Sequence, residues 1–364
     1  MPFLYYLKKF DWWLIASSIL LSILGLVGIA SVAVARGDFS DFFKQLGFLI
    51  VGLILMIWFS FFDYRVLKNN SYLILGIYGF CLTLLIGLYF FAPVTKGVQS
   101  WYKIGLFSFG PNEVMKLVFI ILLAKYFSMR HTEMYKFHHI VFSGLYGLIP
   151  ALLIFFQPDL GGALVIFLIW LSVLFVSGIK LNHFLIIVFC LMLASLFAWS
   201  VMLQDYQKSR IVTFLFPYDH LGAAWTQNQT RISIGSGQIF GQGFAKGSQV
   251  QYGFLPEPHT DFIFSVLAHE WGIAGVIAIF LLYGILIWRI IVIGVIAPSN
   301  FPRFFALGFA ILIIIQFFIN IGMNIVVIPV IGIALPFISY GGSGLISLFI
   351  GLGILQGIQI RRYD

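Results

Sequence analysis

Only 13 of the 364 side chains are acidic, so acid–base chemistry has few places to reside, and one of these acids is conspicuously placed. It sits in Leu255-Pro256-Glu257-Pro258-His259-Thr260-Asp261-Phe262-Ile263-Phe264, where two prolines stiffen the approach and a polar triplet meets an apolar run. Asp261 suits a general base at the edge of an apolar body. The same position suits an N-cap or first-turn acid held by the helix dipole. A dipole would lower its pKa and weaken it as a base, whereas an apolar surround would raise it; the sequence leaves both open. His259 and Glu257 are the runner-up bases. Glu270 follows nine positions on, about 13 Å along a helix, which sets it apart from this site.

A second group of polar side chains interrupts the apolar runs. Glu113 and Lys116, three apart after Gly110-Pro111, fall on one helix face and can pair. They form either a structural ion pair or the lining of a polar pocket that binds an anionic head group. Asp159, in Gln157-Pro158-Asp159-Leu160-Gly161, marks a turn and reads as structural. Toward the C-terminus, Asn320-Ile321-Gly322-Met323-Asn324 precedes Pro329, Gly332, Pro336 and Ser339-Tyr340-Gly341-Gly342-Ser343-Gly344. Such a broken helix exposes backbone polar groups, which membrane depth tolerates only where protein or a wet cavity satisfies them. We expect it to line the same cavity.

The stretch from 205 to 261 differs from the rest in composition. It carries Gly222, Gly235, Gly237, Gly241, Gly243, Gly247 and Gly253, with Gln227, Gln229, Gln238, Gln242, Gln249 and Gln251. Glycines admit close backbone approach and side-chain amides offer donors and acceptors, a combination suited to a sugar-like ligand or simply to a turn-rich solvated loop. No HExxH, paired CxxC or Walker loop is present, and His138-His139 reads as a solvated pair.

The elements that must position these groups follow from composition. Hydrophobic residues make up 61% of the chain and charged ones 9%, against about 25% charged in a soluble domain. This excludes a soluble enzyme, a disordered tail and a disulfide scaffold, and it places Cys81 and Cys190 in apolar runs as buried thiols. The expected fold is an all-α polytopic membrane protein, one integral membrane domain over residues 1–364. Ten spans are expected at about Trp12–Val34, Phe43–Phe61, Tyr72–Phe91, Asn112–Ser128, Val141–Phe156, Leu160–Gly178, Phe184–Leu203, Phe262–Trp288, Phe304–Val327 and Ile331–Ile358. One large extracytoplasmic loop, about 205–261, precedes the eighth. The +8 net charge reflects loops facing anionic lipid rather than a nucleic-acid partner. With the N-terminus inside, twelve basic residues fall on inner segments (Lys8, Lys9, Arg65, Lys68, Lys125, Arg130, Lys136, Lys180, Arg289, Arg303, Arg361, Arg362) and four in short outer loops (Arg36, Lys44, Lys96, Lys103). Both termini are therefore expected in the cytoplasm. The first apolar run is too long for a signal-peptide core and reads as a retained span.

The strings QPDLGGA (157–163), YQKSRI (206–211), IGSGQIFGQG (234–243), FLPEPHTDFIFSV (254–266) and NIGMN…PVIGIALPFISYGGSG (320–344) resemble the SEDS family (shape, elongation, division and sporulation). The resemblance spans nearly the whole chain, and GQGFAKGSQVQYGFLPE is closer to the family's elongation members than to its division members. Ser100, Gly110, Asn112 and His269 depart from the family pattern, which leaves the detail of the first outer loop and the eighth span open.

The resemblance implies a peptidoglycan glycosyltransferase that polymerises lipid II on the outer face of the cytoplasmic membrane. Asp261 matches the family's loop aspartate, Trp101 its outer-loop tryptophan, and Glu113 with Lys116 its buried charged pair. Asp261 is the expected catalytic base for an inverting transfer. Trp101, Glu113, Lys116, Arg210, Lys246 and His259 are the expected substrate-binding residues, with Arg210, Lys246 and Lys116 facing the diphosphate leaving group. A divalent cation (Mg or Mn) is expected as cofactor, recruited with the diphosphate and without a dedicated metal site. A class B penicillin-binding protein (a transpeptidase) and other elongation-complex membrane proteins are the expected partners. The rival class is a lipid II flippase, which the intramembrane charges fit and the outer-facing acid does not; a third reading is a scaffold that activates a transpeptidase.

Overall fold

The computed structural model describes residues 9–94, 98–105, 107–130, 137–216 and 223–362. Lys8, Lys96, Lys136, Gly97 and Gly222 lie outside the described residues. Long apolar runs become α1 (Trp12–Arg36), α2 (Ser40–Phe61), α4 (Ser71–Phe91), α6 (Phe137–Phe156), α8 (Leu181–Phe197), α12 (Ile263–Val295), α13 (Asn300–Asn324) and α14 (Gly342–Ile360). These eight, with α8 continuing as a π turn to Met202, are long and apolar enough to cross a membrane. Two further helices complete the expected ten: α7 (Leu160–Val176), apolar but one turn shorter, and α5 (Pro111–Arg130), interrupted by Glu113, Lys116 and Lys125. Short α3 (Arg65–Asn69) and the hairpin β1 (Tyr102–Ile104) and β2 (Phe107–Phe109), paired Tyr102 to Phe109, sit between them.

Capping follows the side chains. Asp11 accepts from the Leu14 N–H at 3.1 Å and starts α1, and Asp159 accepts from the Gly162 N–H at 2.8 Å and starts α7. Asp11 also ties one end of the bundle together. Its N–H donates to Gln356 Oε1 at 3.0 Å, its carbonyl accepts from Gln356 Nε2 at 3.0 Å, and its carboxylate receives Arg289 Nε at 2.8 Å. Small residues let helices close in, as Gly353 does against the backbone of Met56.

Four expectations need correction. The last helix begins at Gly342, not Ile331: residues 325–341 are irregular, because Pro329 and Pro336 interrupt the hydrogen-bond ladder and Val326, Gly332 and Phe337 take positive φ. The stretch 205–261 is not turns throughout, since it contains α9 (Asp205–Leu215), α10 (Ala223–Ser236) and α11 (Ser248–Gln251). Cys190 is exposed, because α8 buries none of its residues. His139 is buried and meets the Tyr126 hydroxyl at 3.0 Å through Nδ1, so the histidine pair is only half solvated.

Within 237–247, Gly237 and Gly241 approach another backbone. Helix α12 breaks at Gly272 (φ 63°, ψ −159°), which frees main-chain groups on both sides of the break. The glycine segment satisfies them: Ile273 and Ala274 donate to the Gln238 and Ile239 carbonyls at 2.9 and 3.0 Å. In return Gln242 and Gly243 donate to the His269 and Glu270 carbonyls, each at 3.0 Å. A Cβ at Gly237 or Gly241 would overlap the Ala268 or Glu270 carbonyl. This clasp gives a direct test. Gly241→Ala combines a φ of 76° with that overlap and is expected to cost about 2–4 kcal/mol. Gly253→Ala, at φ 70° in open space, is expected to cost about 1 kcal/mol. Thermal unfolding of both variants in detergent reads the difference, and equal midpoints would contradict the clasp.

Candidate active site

Asp261 stands two residues before α12, and the N-cap position belongs to Phe262, which makes no side-chain cap. The N-cap expected at Asp261 thus falls one residue later. What fixes Asp261 is its main chain. Its carbonyl accepts from Asn320 Nδ2 at 3.1 Å and Asn324 Nδ2 at 3.0 Å, two fully buried asparagines one turn apart on α13. Each amide is itself held: Asn320 also donates to the Ile333 carbonyl at 2.8 Å, and Asn324 Oδ1 accepts from Ser265 Oγ at 2.6 Å. Amides so engaged at every face cannot turn without leaving a buried group unpaired, a penalty of about 1–3 kcal/mol.

The carboxylate lies against the irregular segment, where a Cβ on Gly332 would stand 3.6 Å from Asp261 Oδ2. Glycine is needed there for its φ of 72°. The segment is anchored along its length by side chains from α12 and α2 and by one of its own. Tyr283 donates to the Pro336 carbonyl, Ser339 Oγ donates to the Thr260 carbonyl at 2.6 Å, and Gln45 bonds both the Ser339 carbonyl and the Gly341 N–H at 3.2 Å. The Thr260–Asp261 turn and the 325–341 segment are thus laced to each other.

The same segment leads from Asp261 to the charged pair. Gly161 packs on the Ile331 and Gly332 carbonyls. Its neighbour Asp159 accepts from Asn112 Nδ2 at 2.6 Å, so the turn acid both caps α7 and orients the residue before Glu113. Lys116 Nζ meets Glu113 Oε1 at 2.6 Å, and Glu113 lies beside Gly344 at the start of α14. Trp101 closes this side, packed with the Ser343 hydroxyl around Gly110. From the α9 side Arg210 donates to the Val330 carbonyl at 3.3 Å, two residues from Gly332.

The structure therefore strings Asp261, Arg210, Trp101, Glu113 and Lys116 along one continuous wall. His259 sits at the Tyr340 end of the same segment, with Nε2 3.8 Å from the Asp41 carboxylate and its ring against Tyr340. Burial, and then the Asp41 charge, push the Tyr340 hydroxyl up to about 12, so it stays a neutral donor beside that acid. Lys246 is exposed on the glycine segment, whose hydrogen bonds run to α12 around the Gly272 break. Glu270 receives the Ser31 hydroxyl at that clasp, separate from Asp261 as its spacing suggested. Sequence reasoning missed Asn320 and Asn324 as the grip on Asp261, and Gln45 altogether; the four-residue spacing of the asparagines was the available signal.

Fold and site define a helical membrane protein that holds one acid by its main chain at the edge of the bundle, with an ion pair beyond it. The chain belongs to the FtsW/RodA/SpoVE family of cell cycle proteins, whose family model matches residues 11–364. Among its relatives, peptidoglycan glycosyltransferase MrdB of Escherichia coli (strain K12) is 34% identical over 353 residues, covering 94% of this chain and 92% of that protein. Stage V sporulation protein E of Bacillus subtilis (strain 168) is 35% identical, with 97% of each chain covered. Of solved structures, a chain from a peptidoglycan synthase complex that coordinates polymerization and crosslinking superposes with a TM-score of 0.81 at 31% identity, covering 98% of this chain and 99% of that one. The rod shape determining protein RodA of Thermus thermophilus gives 0.71 at 29% identity, with 98% of each chain covered.

The ion pair is asymmetric, with the Lys116 side chain 4% exposed and that of Glu113 32% exposed. Glu113→Ala strands a buried cation and is expected to cost about 3–5 kcal/mol. Lys116→Ala leaves an acid that water reaches and should cost less. Thermal unfolding of the two variants and of the Glu113→Leu, Lys116→Met double variant reads this order, and a reversed order would mean that Lys116 has found another counter-charge.

Proposed function

We infer that this chain is a peptidoglycan glycosyltransferase that polymerises lipid II into glycan strands on the outer face of the bacterial cytoplasmic membrane, for cell elongation and shape. The observation that carries this reading is the hold on Asp261, whose backbone is fixed by two buried amides while its carboxylate faces the wall that runs to Glu113 and Lys116. A base for glycosyl transfer must be placed, rather than merely present, because small misplacements of a reacting group are costly.

In this mechanism Asp261 takes the proton from the acceptor sugar's 4-hydroxyl as that oxygen attacks the anomeric carbon of the donor. One displacement inverts the anomeric centre, and undecaprenyl diphosphate leaves. The charge developing on the diphosphate calls for fixed cations. Arg210, held at the Val330 carbonyl beside the Asp261 turn, and Lys116, at the far end of the wall, are the side chains assigned to it. Trp101 and Glu113 complete the substrate-binding wall, and Lys246 has no part in it. Among the described residues no three His, Cys, Asp or Glu side chains gather into a metal site. The residues fit Mg or Mn only where the substrate diphosphate supplies most ligands. Such an ion would neutralise leaving-group charge.

The orientation follows from the basic residues. Arg289, Arg361 and Lys125 make their contacts at the Asp11 end, away from Asp261, which supports a cytoplasmic location for both termini. A class B penicillin-binding protein that cross-links the new strands is the proposed partner, together with other membrane proteins of the elongation machinery. The likeness to a chain from a synthase complex supports the former.

Purified protein given lipid II and Mg or Mn is expected to form glycan polymer. Asp261→Asn should lower the rate by about 10²–10⁴ at an unchanged thermal midpoint. Polymer from the Asn variant at the wild-type rate would remove Asp261 as the base. A wild type that moves lipid II across liposomes without polymerising it, alone or with its partner, would establish the flippase instead.

A further inference from the structure

The glycine clasp leaves three large apolar side chains that nothing among the described residues covers. Ile239 is 61% exposed, Phe240 82% and Phe244 48%, while Gly237 and Gly241 press on α12 and the Gly243 N–H donates to it. An aqueous loop has no use for two exposed phenylalanines on a backbone fixed this tightly. Their level on the bundle explains them. Beyond the Gly272 break, α12 runs from Ile273 to Val295, about 33 Å at ~1.5 Å per residue, which matches a hydrocarbon core of about 30 Å. Its exposed face over this length is apolar throughout, with Ile273, Ile277, Leu281, Trp288 and Val295. That lipid-facing stripe therefore begins at Ile273, and the exposed Trp271 just above it sits where an interfacial tryptophan belongs.

Ile273 and Ala274 are the residues that donate to the Gln238 and Ile239 carbonyls. The glycine segment is thus bonded to α12 at the top of its lipid face, not above it. We propose that residues 238–244 lie in the bilayer interface, with Ile239, Phe240 and Phe244 inserted among the acyl chains and Lys246 reaching back to the phosphates. The occupant of this surface is the lipid itself, because its apolar side chains are continuous in height with the stripe of a spanning helix. The neighbouring exposed Gln242 and Lys246 supply the polar side that an interfacial segment needs. The segment then acts as a float: bonded to both sides of the Gly272 break, it sets the depth of the Ile263–Trp271 turns that follow Asp261. This inference is independent of the chemistry assigned to Asp261.

Site-directed spin labelling in phosphatidylcholine–phosphatidylglycerol nanodiscs tests it, with Cys81→Ser and Cys190→Ser as background and Ile239→Cys, Phe240→Cys, Phe244→Cys or Lys246→Cys as label sites. All four are partly or fully exposed, so the labels leave the packing intact. Power saturation is expected to show oxygen accessibility exceeding that to a water-soluble nickel complex by about threefold or more at 239, 240 and 244, with the order reversed at 246. Nickel access at 240 equal to that at 246 would place the segment in water and overturn the proposal. Exclusion of both reagents at 240 would mean that protein covers it, and would overturn it equally.

Discussion

Inside a membrane every peptide group must find its hydrogen-bond partner within the protein, and this constraint organises the whole molecule. Regular helices meet it by themselves, which is why the long apolar runs need little further explanation. The two places where the backbone departs from a helix are different. At Gly272 and over residues 325–341 main-chain groups are set free, and each is answered by a dedicated element. The glycine segment answers the first by lending its own backbone. Asn320, Tyr283, Ser339 and Gln45 answer the second by lending side chains.

The site is a by-product of that accounting. Because the 325–341 segment is not a helix, it runs as a wall beside the Asp261 turn, which is tied to it through Thr260. Asn320 spans both, since one amide bonds the Asp261 and Ile333 carbonyls. The charged pair lies at the other end of the same wall, reached through Gly161, Asp159 and Asn112. The placement of Asp261 and the satisfaction of the backbone are thus achieved by one set of bonds. The Asp11–Gln356–Arg289 knot at the opposite end adds a fixed base from which α1, α12 and α14 rise.

Much of this was legible in the sequence, and the reasons are specific. Spans are legible because hydropathy over about 20 residues is a long, redundant signal. Asp261 was legible because acids are scarce here, and the break near Pro329 and Pro336 because proline announces itself. The start of α14 was misjudged because Ile331–Phe337 is apolar enough to pass for helix. The break at Gly272 was invisible, being one glycine within a long apolar run. The glycines of 237–247 signalled close approach correctly, but composition cannot say whether the approaching partner is a ligand or another backbone. Asn320 and Asn324 were visible as polar residues in a span. Their partner lies some sixty positions away in sequence, and only the packed structure joins the two.

A hold that grips the peptide group rather than the carboxylate has a corollary. The Asn320 and Asn324 amides bond the carbonyl of residue 261, a group that every residue type carries, so this part of the frame is written in the backbone rather than in the side chain. A substitution at 261 therefore keeps both of these amide bonds, and the group presented at this point can change while the turn that presents it stays in place.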